Sequence, residues 1–168
     1  MIVGVDVGQR RDPTALAVLD GWDVRHLERL PLGTSYMMGV ERIATVAAAG
    51  MRIVVDATGI GRAVVELLEA RGLLPLAVTL TGGKLVRVEG SRVSLPRSAL
   101  FVPLVAAVEA GRLRVAAGLS FGPELLQELR TARERGIGRQ VEARGAGHHG
   151  DLMPAVALAV WGQSPQLA

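Results

Sequence analysis

The order of apolar runs predicts an α/β fold, a mixed β-sheet of antiparallel hairpin strands and parallel strands flanked by helices. Three observations carry this expectation. Short apolar runs of strand length alternate along the chain with longer runs of helical period. Asp20-Gly21 stands between two strand-like runs and is a strong two-residue hairpin signal. Hydrophobic residues make up 49% of the chain but aromatics only 3%. The core must therefore be built from Ala, Val, Leu and Ile, which suits a sheet covered by helices. With 168 residues, no linker and no internal repeat, the chain has the size of one domain with a sizeable core.

Taken in order, residues 2–7 form a short buried strand, and residues 14–20 and 22–30 form the hairpin, giving three antiparallel strands in a row. Met38, Ile43, Val46 and Ala47 recur at helical spacing within 35–49, and Gly50 closes that helix. RIVVDA at 52–57 is a fully buried strand, followed by a helix over 60–71 that Gly72 stops. PLAVTLT at 75–81 is another strand, and 82–95 is a ribbon turning near Glu89-Gly90-Ser91. Pro96 opens a helix that runs to Glu109, the position Pro favours. RLRVA is a short strand, 122–135 an amphipathic helix, 139–144 a last short strand, and 151–161 the closing helix.

Composition excludes several classes of function. Cysteine is absent, so disulfide staples and thiolate zinc sites are ruled out. The chain lacks an eighteen-residue apolar run and a basic-then-apolar N-terminus, and a soluble, intracellular protein is expected. Net charge is only +3, and Lys84 is the one lysine among 19 basic residues. Arginine suits phosphate because its fork bonds two oxygens at once, but a GC-rich or thermophilic source produces the same bias.

Candidate chemistry lies in three aspartates at the ends of apolar runs: Asp6 in IVGVDVG, Asp56 in RIVVDATGIG and Asp151 in HHGDLMPAVALAVW. A carboxylate at the edge of a buried strand costs desolvation energy, and a divalent cation is a common compensator. Asp6 and Asp56 project from strand ends followed by small residues, which leaves their carboxylates sterically open. Asp151 opens a helix and could face them, although an acid there is also an ordinary capping residue. Hard cations such as Mg²⁺ and Mn²⁺ prefer such oxygen ligands. Two of them can clamp the attacking and leaving oxygens of a phosphoryl displacement.

Four segments resemble the C-terminal nuclease domain of the large terminase subunit of tailed bacteriophages, a ribonuclease H-like fold. They are GVDVGQRRDPTALAVLD (4–20), IVVDATGIGRAVVELLEARGL (53–73) with TLTGGK (79–84), SLPRSALFVPLVAAVEAGRLRV (94–115) and GHHGDLMPAVALAV (147–160). The resemblance covers nearly the whole chain. It implies endonucleolytic cleavage of double-stranded DNA with little sequence specificity, during viral genome packaging, by two-metal-ion phosphodiester hydrolysis. Carried over by motif, Asp6, Asp56 and Asp151 are the catalytic metal ligands for two Mg²⁺ or Mn²⁺ ions, fixing the ions rather than acting as bases. Asp12 matches a further acidic position of some members, although Asp12-Pro13 is also a normal turn opener.

The same resemblance implies an ATPase motor domain, a portal and a small terminase subunit as partners, no membrane, and the cytoplasm of an infected or lysogenic bacterial host. Lys84, Arg87, Arg92 and Arg97 give the ribbon a basic character suited to backbone phosphates. His148 and His149 are candidates for a phosphate contact or for proton transfer. A solvated ribbon and a solvated loop are the bland alternatives for these two sets, and a solvated helix face is the better reading of Arg130, Arg133, Arg135 and Arg139.

The chain departs from the family pattern in two places. Members usually show two adjacent acids after Gly-His, whereas Gly150 takes the first place here and leaves Asp151 alone. The motor's G-x-x-x-x-G-K-[ST] loop is missing: Val78 and Leu85 stand where Gly83-Lys84 would need a glycine and a hydroxyl. The chain is therefore expected to be an excised domain or a stand-alone relative. A dinucleotide loop at Gly59-Ile60-Gly61 is rejected, since Leu76 and Ala77 occupy the ribose-binding position. A sugar-kinase or actin-like ATPase is rejected because 168 residues cannot supply its second domain. A Holliday-junction-resolvase-like nuclease and a non-catalytic DNA-binding or assembly module of the same fold remain as alternatives.

Overall fold

Chain order alternates strand and helix as the apolar pattern requires. The computed structural model describes residues 1–8, 12–47, 50–135 and 151–164. Within them the strands are β1 (Ile2–Asp6), β2 (Ala15–Asp20), β3 (Asp23–Arg29), β4 (Arg52–Asp56), β5 (Leu76–Thr81), β6 (Arg87–Glu89), β7 (Arg92–Pro96) and β8 (Arg114–Val115). The helices are α1 (Tyr36–Val46), α2 (Gly61–Glu69), α3 (Arg97–Glu109), α4 (Gly122–Arg135) and α5 (Leu152–Trp161). The strand expected over 139–144 lies outside the described residues.

These strands form one mixed sheet in the order β6-β7-β5-β4-β1-β2-β3-β8. β1, β2 and β3 run antiparallel in sequence, while β4, β5 and β7 continue from β1 in parallel. The hairpin loop is Gly21-Trp22, one residue later than expected, because Asp20 and Asp23 pair and close the ladder. Gly21 holds φ at 56°, the left-handed region that two-residue hairpin loops demand. Pro96 is also displaced from its expected role. It still pairs with Thr81 as the last residue of β7, and its ψ of 130° is extended, so α3 starts at Arg97 with Pro96 as its cap.

Side-chain alternation sorts the core into two layers. Val3, Val5, Leu16, Val18, Ile53, Val55 and Ala77 face α1 and α2, meeting Val40, Ile43, Val64, Val65 and Leu68. Ala15, Ala17, Leu19, Val54, Val78, Val93 and Leu95 face the other way, against α3, α4 and α5. α5 lies on β1 and β2 and is covered in turn by α3 and α4, so every residue from Leu152 to Trp161 is buried. A helix apolar all round suits only such a central place. Each fully buried Leu or Val there contributes about 1.5–3 kcal/mol.

Gly4 sets how closely α5 approaches the sheet. A Cβ at that position would stand 2.7 Å from the Ala159 backbone nitrogen and closer still to the Ala155 carbonyl oxygen. The helix backbone therefore rests directly on the β1 backbone, a contact that a strand glycine permits.

Candidate functional site

Strand register brings Asp6 and Asp56 together. β1 and β4 are parallel with Val5 opposite Val55, so the next residues, Asp6 and Asp56, end neighbouring strands side by side. Neighbouring strands lie about 4.8 Å apart. Val3, Val5, Ile53 and Val55 belong to the α1–α2 layer, so by alternation Asp6 and Asp56 belong to the face that carries α5. The row continues on the other side: Asp6 pairs with Ala15, and Ala15 with Arg29.

Asp151 reaches the same place from above. Ala155 and Ala159 lie over Gly4, and Gly162 packs on Ile2 and Val54, so α5 runs antiparallel to β1. Asp151 precedes Ala155 by one turn, about 6 Å along the helix axis. Asp6 follows Gly4 by two strand residues, about 7 Å. These offsets nearly match, which puts the start of α5 over the carboxyl end of β1. The crevice outside the carboxyl ends of strands is where open α/β sheets bind ligands.

Asp6, Asp56 and Asp151 are 7%, 8% and 6% exposed, and among the described residues no other charged side chain is buried. Each has local support. The Thr58 N–H donates to Asp56 Oδ1 at 2.8 Å, and Thr58 Oγ1 in turn accepts from the Leu80 N–H at 2.9 Å. Arg29 Nε stands 3.7 Å from Asp151 Oδ2. Thr14 Oγ1 accepts from the Gly8 N–H at 3.1 Å and ties down the loop that leaves Asp6.

Glu128 of α4 joins this cluster from a position that the sequence reading passed over. Its Oε1 accepts from Arg29 Nη2 at 3.1 Å and its Oε2 from the Met153 N–H at 2.7 Å. Burial pushes its carboxyl up to about 7, with the Asp151 charge adding to the rise. The Met153 N–H and the Arg29 charge pull the other way and do not win. A signal existed in the sequence. Leu125, Leu129 and Ala132 form an apolar stripe on α4, and Glu128 sits inside it at helical spacing.

The other site candidates are distributed more widely. Asp12 is exposed in the loop after β1, at the same end of the sheet as the buried aspartates but not among them. Lys84 follows β5 and Arg97 follows β7, so both lie at the carboxyl edge; Lys84 is exposed and Arg97 half-buried. Arg92 begins β7 at the opposite edge and pairs with Glu69 at 3.5 Å. Arg87, opposite Ser94, lies between. Arg87 and Arg92 line a cleft of about 290 Å³ with Ala57, Arg62, Thr79, Glu89 and Ser94. His148, His149 and Gly150 lie outside the described residues.

The donors fit a hard divalent cation. Three buried carboxylates offer oxygen alone, the donor that hard divalent cations prefer. Among the described residues no three acidic or imidazole side chains form a group that could hold a metal ion as they stand. Mg²⁺ does not need such a cage, because it is bound by one or two carboxylates with waters and substrate phosphates. Among the described residues no helix is long and apolar enough to cross a membrane.

Two solved structures share this fold. The crystal structure of the large terminase nuclease from thermophilic phage G20c superposes with a TM-score of 0.65 at 23% identity, over 96% of this chain and 81% of that one. The structure of the large terminase nuclease from the same phage with bound zinc gives 0.65 at 25% identity, over 96% and 80%. The mixed sheet flanked by helices is thus the ribonuclease H-like fold of a terminase nuclease, as the sequence resemblance implied. No family model and no curated protein matches the sequence.

Proposed function

We propose that this chain is a metal-dependent endonuclease domain that cleaves double-stranded DNA, with little sequence preference, during viral genome packaging. One observation carries the reading. The three aspartates are the buried charged side chains among the described residues, and they belong to β1, β4 and the start of α5, the elements that reach the carboxyl edge of the sheet. Bound zinc in one of the G20c structures supports a divalent cation in this fold. Mg²⁺ or Mn²⁺, as two ions, is the cofactor we propose, supplying Lewis-acid polarisation and charge neutralisation at the scissile phosphate.

The roles of the chain's own groups follow from their places. Asp6 and Asp56, side by side on β1 and β4, are positioned to share one ion between them. Asp151 adds negative charge from the α5 side. Their task is to hold cations and orient the phosphate, so their charge matters more than their basicity. Asp12, exposed on the adjoining loop, is suited to an outer, water-mediated contact. Lys84 and Arg97, at the carboxyl edge on the β5–β7 side of the carboxylates, would grip phosphates beside the scissile one. Arg87 and Arg92, with Arg62, offer a second phosphate contact further out. Contacts of this kind fix register without reading bases, in keeping with low sequence preference. An ATPase motor, a portal and a small terminase subunit are the partners that a packaging role would require.

Plasmid cleavage by the purified chain with EDTA, Mg²⁺ or Mn²⁺, beside Asp151→Ala, tests the proposal. Nicking and linearisation only with added metal, lost in the variant, is the expected result. A folded chain that binds DNA but cuts it with neither metal would instead favour a non-catalytic DNA-binding module.

A further inference from the structure

We propose that Thr58 is a positioning residue that fixes the orientation of the Asp56 carboxylate for a divalent cation. The inference rests on Asp56 being a cation ligand, as proposed above. It gives a task to the turn over residues 56–61, which lacks the acid that a dinucleotide loop requires.

The turn grows out of the sheet edge. Asp56 is the last residue of β4 and pairs with Val78, and the Ala57 N–H still donates to the Val78 carbonyl at 2.8 Å. A parallel ladder would next take the Leu80 N–H to the Ala57 carbonyl. That N–H goes instead to Thr58 Oγ1, at 2.9 Å. Leu80 is buried, so the hydroxyl supplies the acceptor that a buried N–H requires. Anchored to β5 in this way, Thr58 donates its own N–H to Asp56 Oδ1 at 2.8 Å.

The backbone of Asp56 is held as well. The Gly61 N–H closes the turn on the Thr58 carbonyl at 3.2 Å. Gly61 opens α2 and lies so tightly on the Asp56 carbonyl that a Cβ there would collide with its oxygen. Among the described residues no basic side chain pairs with Asp56. With Oδ1 engaged by Thr58, Oδ2 is the oxygen that the ion would take. A carboxylate already fixed loses little freedom when an ion arrives, which is what a hydrogen bond behind a metal ligand provides.

Mn²⁺ titration calorimetry on the full chain without DNA tests the role, with wild type, Thr58→Val and Thr58→Ser. Valine keeps the branched shape and the backbone N–H but removes the acceptor for Leu80, so the turn loses its anchor to β5. Serine keeps the hydroxyl. Thr58→Val should bind Mn²⁺ about tenfold more weakly, the scale for groups that support a metal ligand, and Thr58→Ser within about threefold of wild type. Thermal unfolding of the same proteins, with binding measured well below the lowest melting temperature, separates this from a purely structural role. Such a role would lower the melting temperature of Thr58→Val and leave its Mn²⁺ affinity unchanged. Thr58→Ala, which also lacks the hydroxyl, takes the place of Thr58→Val if that chain does not fold. Wild-type affinity without the hydroxyl, or Thr58→Ser as weak as Thr58→Val, overturns the assignment. A wild-type chain that binds no Mn²⁺ overturns the ligand reading itself and the role of Thr58 with it, so the two failures are distinct.

Discussion

Replacing Gly4 by alanine adds one methyl group at the point where α5 rests on β1. The new Cβ would stand 2.7 Å from the Ala159 nitrogen, and ordinary contact begins at 3.4 Å, so that atom alone must withdraw by 0.7 Å. The Ala155 carbonyl oxygen lies nearer and demands a larger shift. Both neighbours are backbone, and no side chain can rotate aside. Overpacking of this kind costs about 1–3 kcal/mol, and a rigid backbone contact belongs at the top of that range. For a chain of this size the melting temperature should fall by about 6–12 °C.

The same shift acts on the site, because Asp151 lies one turn from Ala155 on the displaced helix. A misplacement of about 1 Å can lower a rate by about 100-fold. Urea and thermal unfolding measure the first effect, and cleavage rate at fixed Mn²⁺ and temperature, well below the melting point, measures the second. A Gly4→Ala protein with wild-type stability and wild-type cleavage would refute the close approach of α5 to β1 and the placement of Asp151 derived from it.

Three further outcomes follow from the cluster and its surroundings. Asp56→Asn should abolish cleavage without lowering stability, since the amide oxygen still accepts from the Thr58 N–H while a buried charge disappears; equal cleavage rates would remove Asp56 from the site. Glu128 has a carboxyl raised from 4.5 to about 7, so it contributes stability below pH 4.5 that is lost as pH rises through 7. The stability difference between wild type and Glu128→Gln should therefore change by about 3 kcal/mol across that window in urea titrations, and a constant difference would contradict the raised value. Arg87→Ala with Arg92→Ala should reduce the salt dependence of DNA binding in EDTA by about two units of log–log slope, and an unchanged slope would exclude both from phosphate contact.

Strand and helix identity was legible in the sequence because the signals are local. Asp20-Gly21 announced the hairpin, the RIVVDA run a buried strand, and Gly72 the end of a helix. The ends of elements were less legible. Pro96 has the fixed φ of a helix opener, yet its pairing with Thr81 keeps it in β7. That pairing depends on a strand fifteen residues earlier and leaves no mark beside the proline. The candidate site divides in the same way. Asp6 and Asp56 were conspicuous as charges ending apolar runs, and register alone brings them side by side. Arg29 and Glu128 were not, since one lies on β3 and the other on α4 and they meet across 99 positions of sequence separation. Glu128 did carry a trace, as a carboxylate within an apolar helical stripe.

The most direct test of the carboxylate site is anomalous diffraction from crystals of the chain soaked in Mn²⁺. Peaks between Asp6 and Asp56, with Asp151 in reach, are the expected result, and an Asp6→Asn crystal should lose them. Mn²⁺ bound only elsewhere on the surface at saturating concentration, with the three carboxylates unchanged, would contradict the metal-dependent reading at its root.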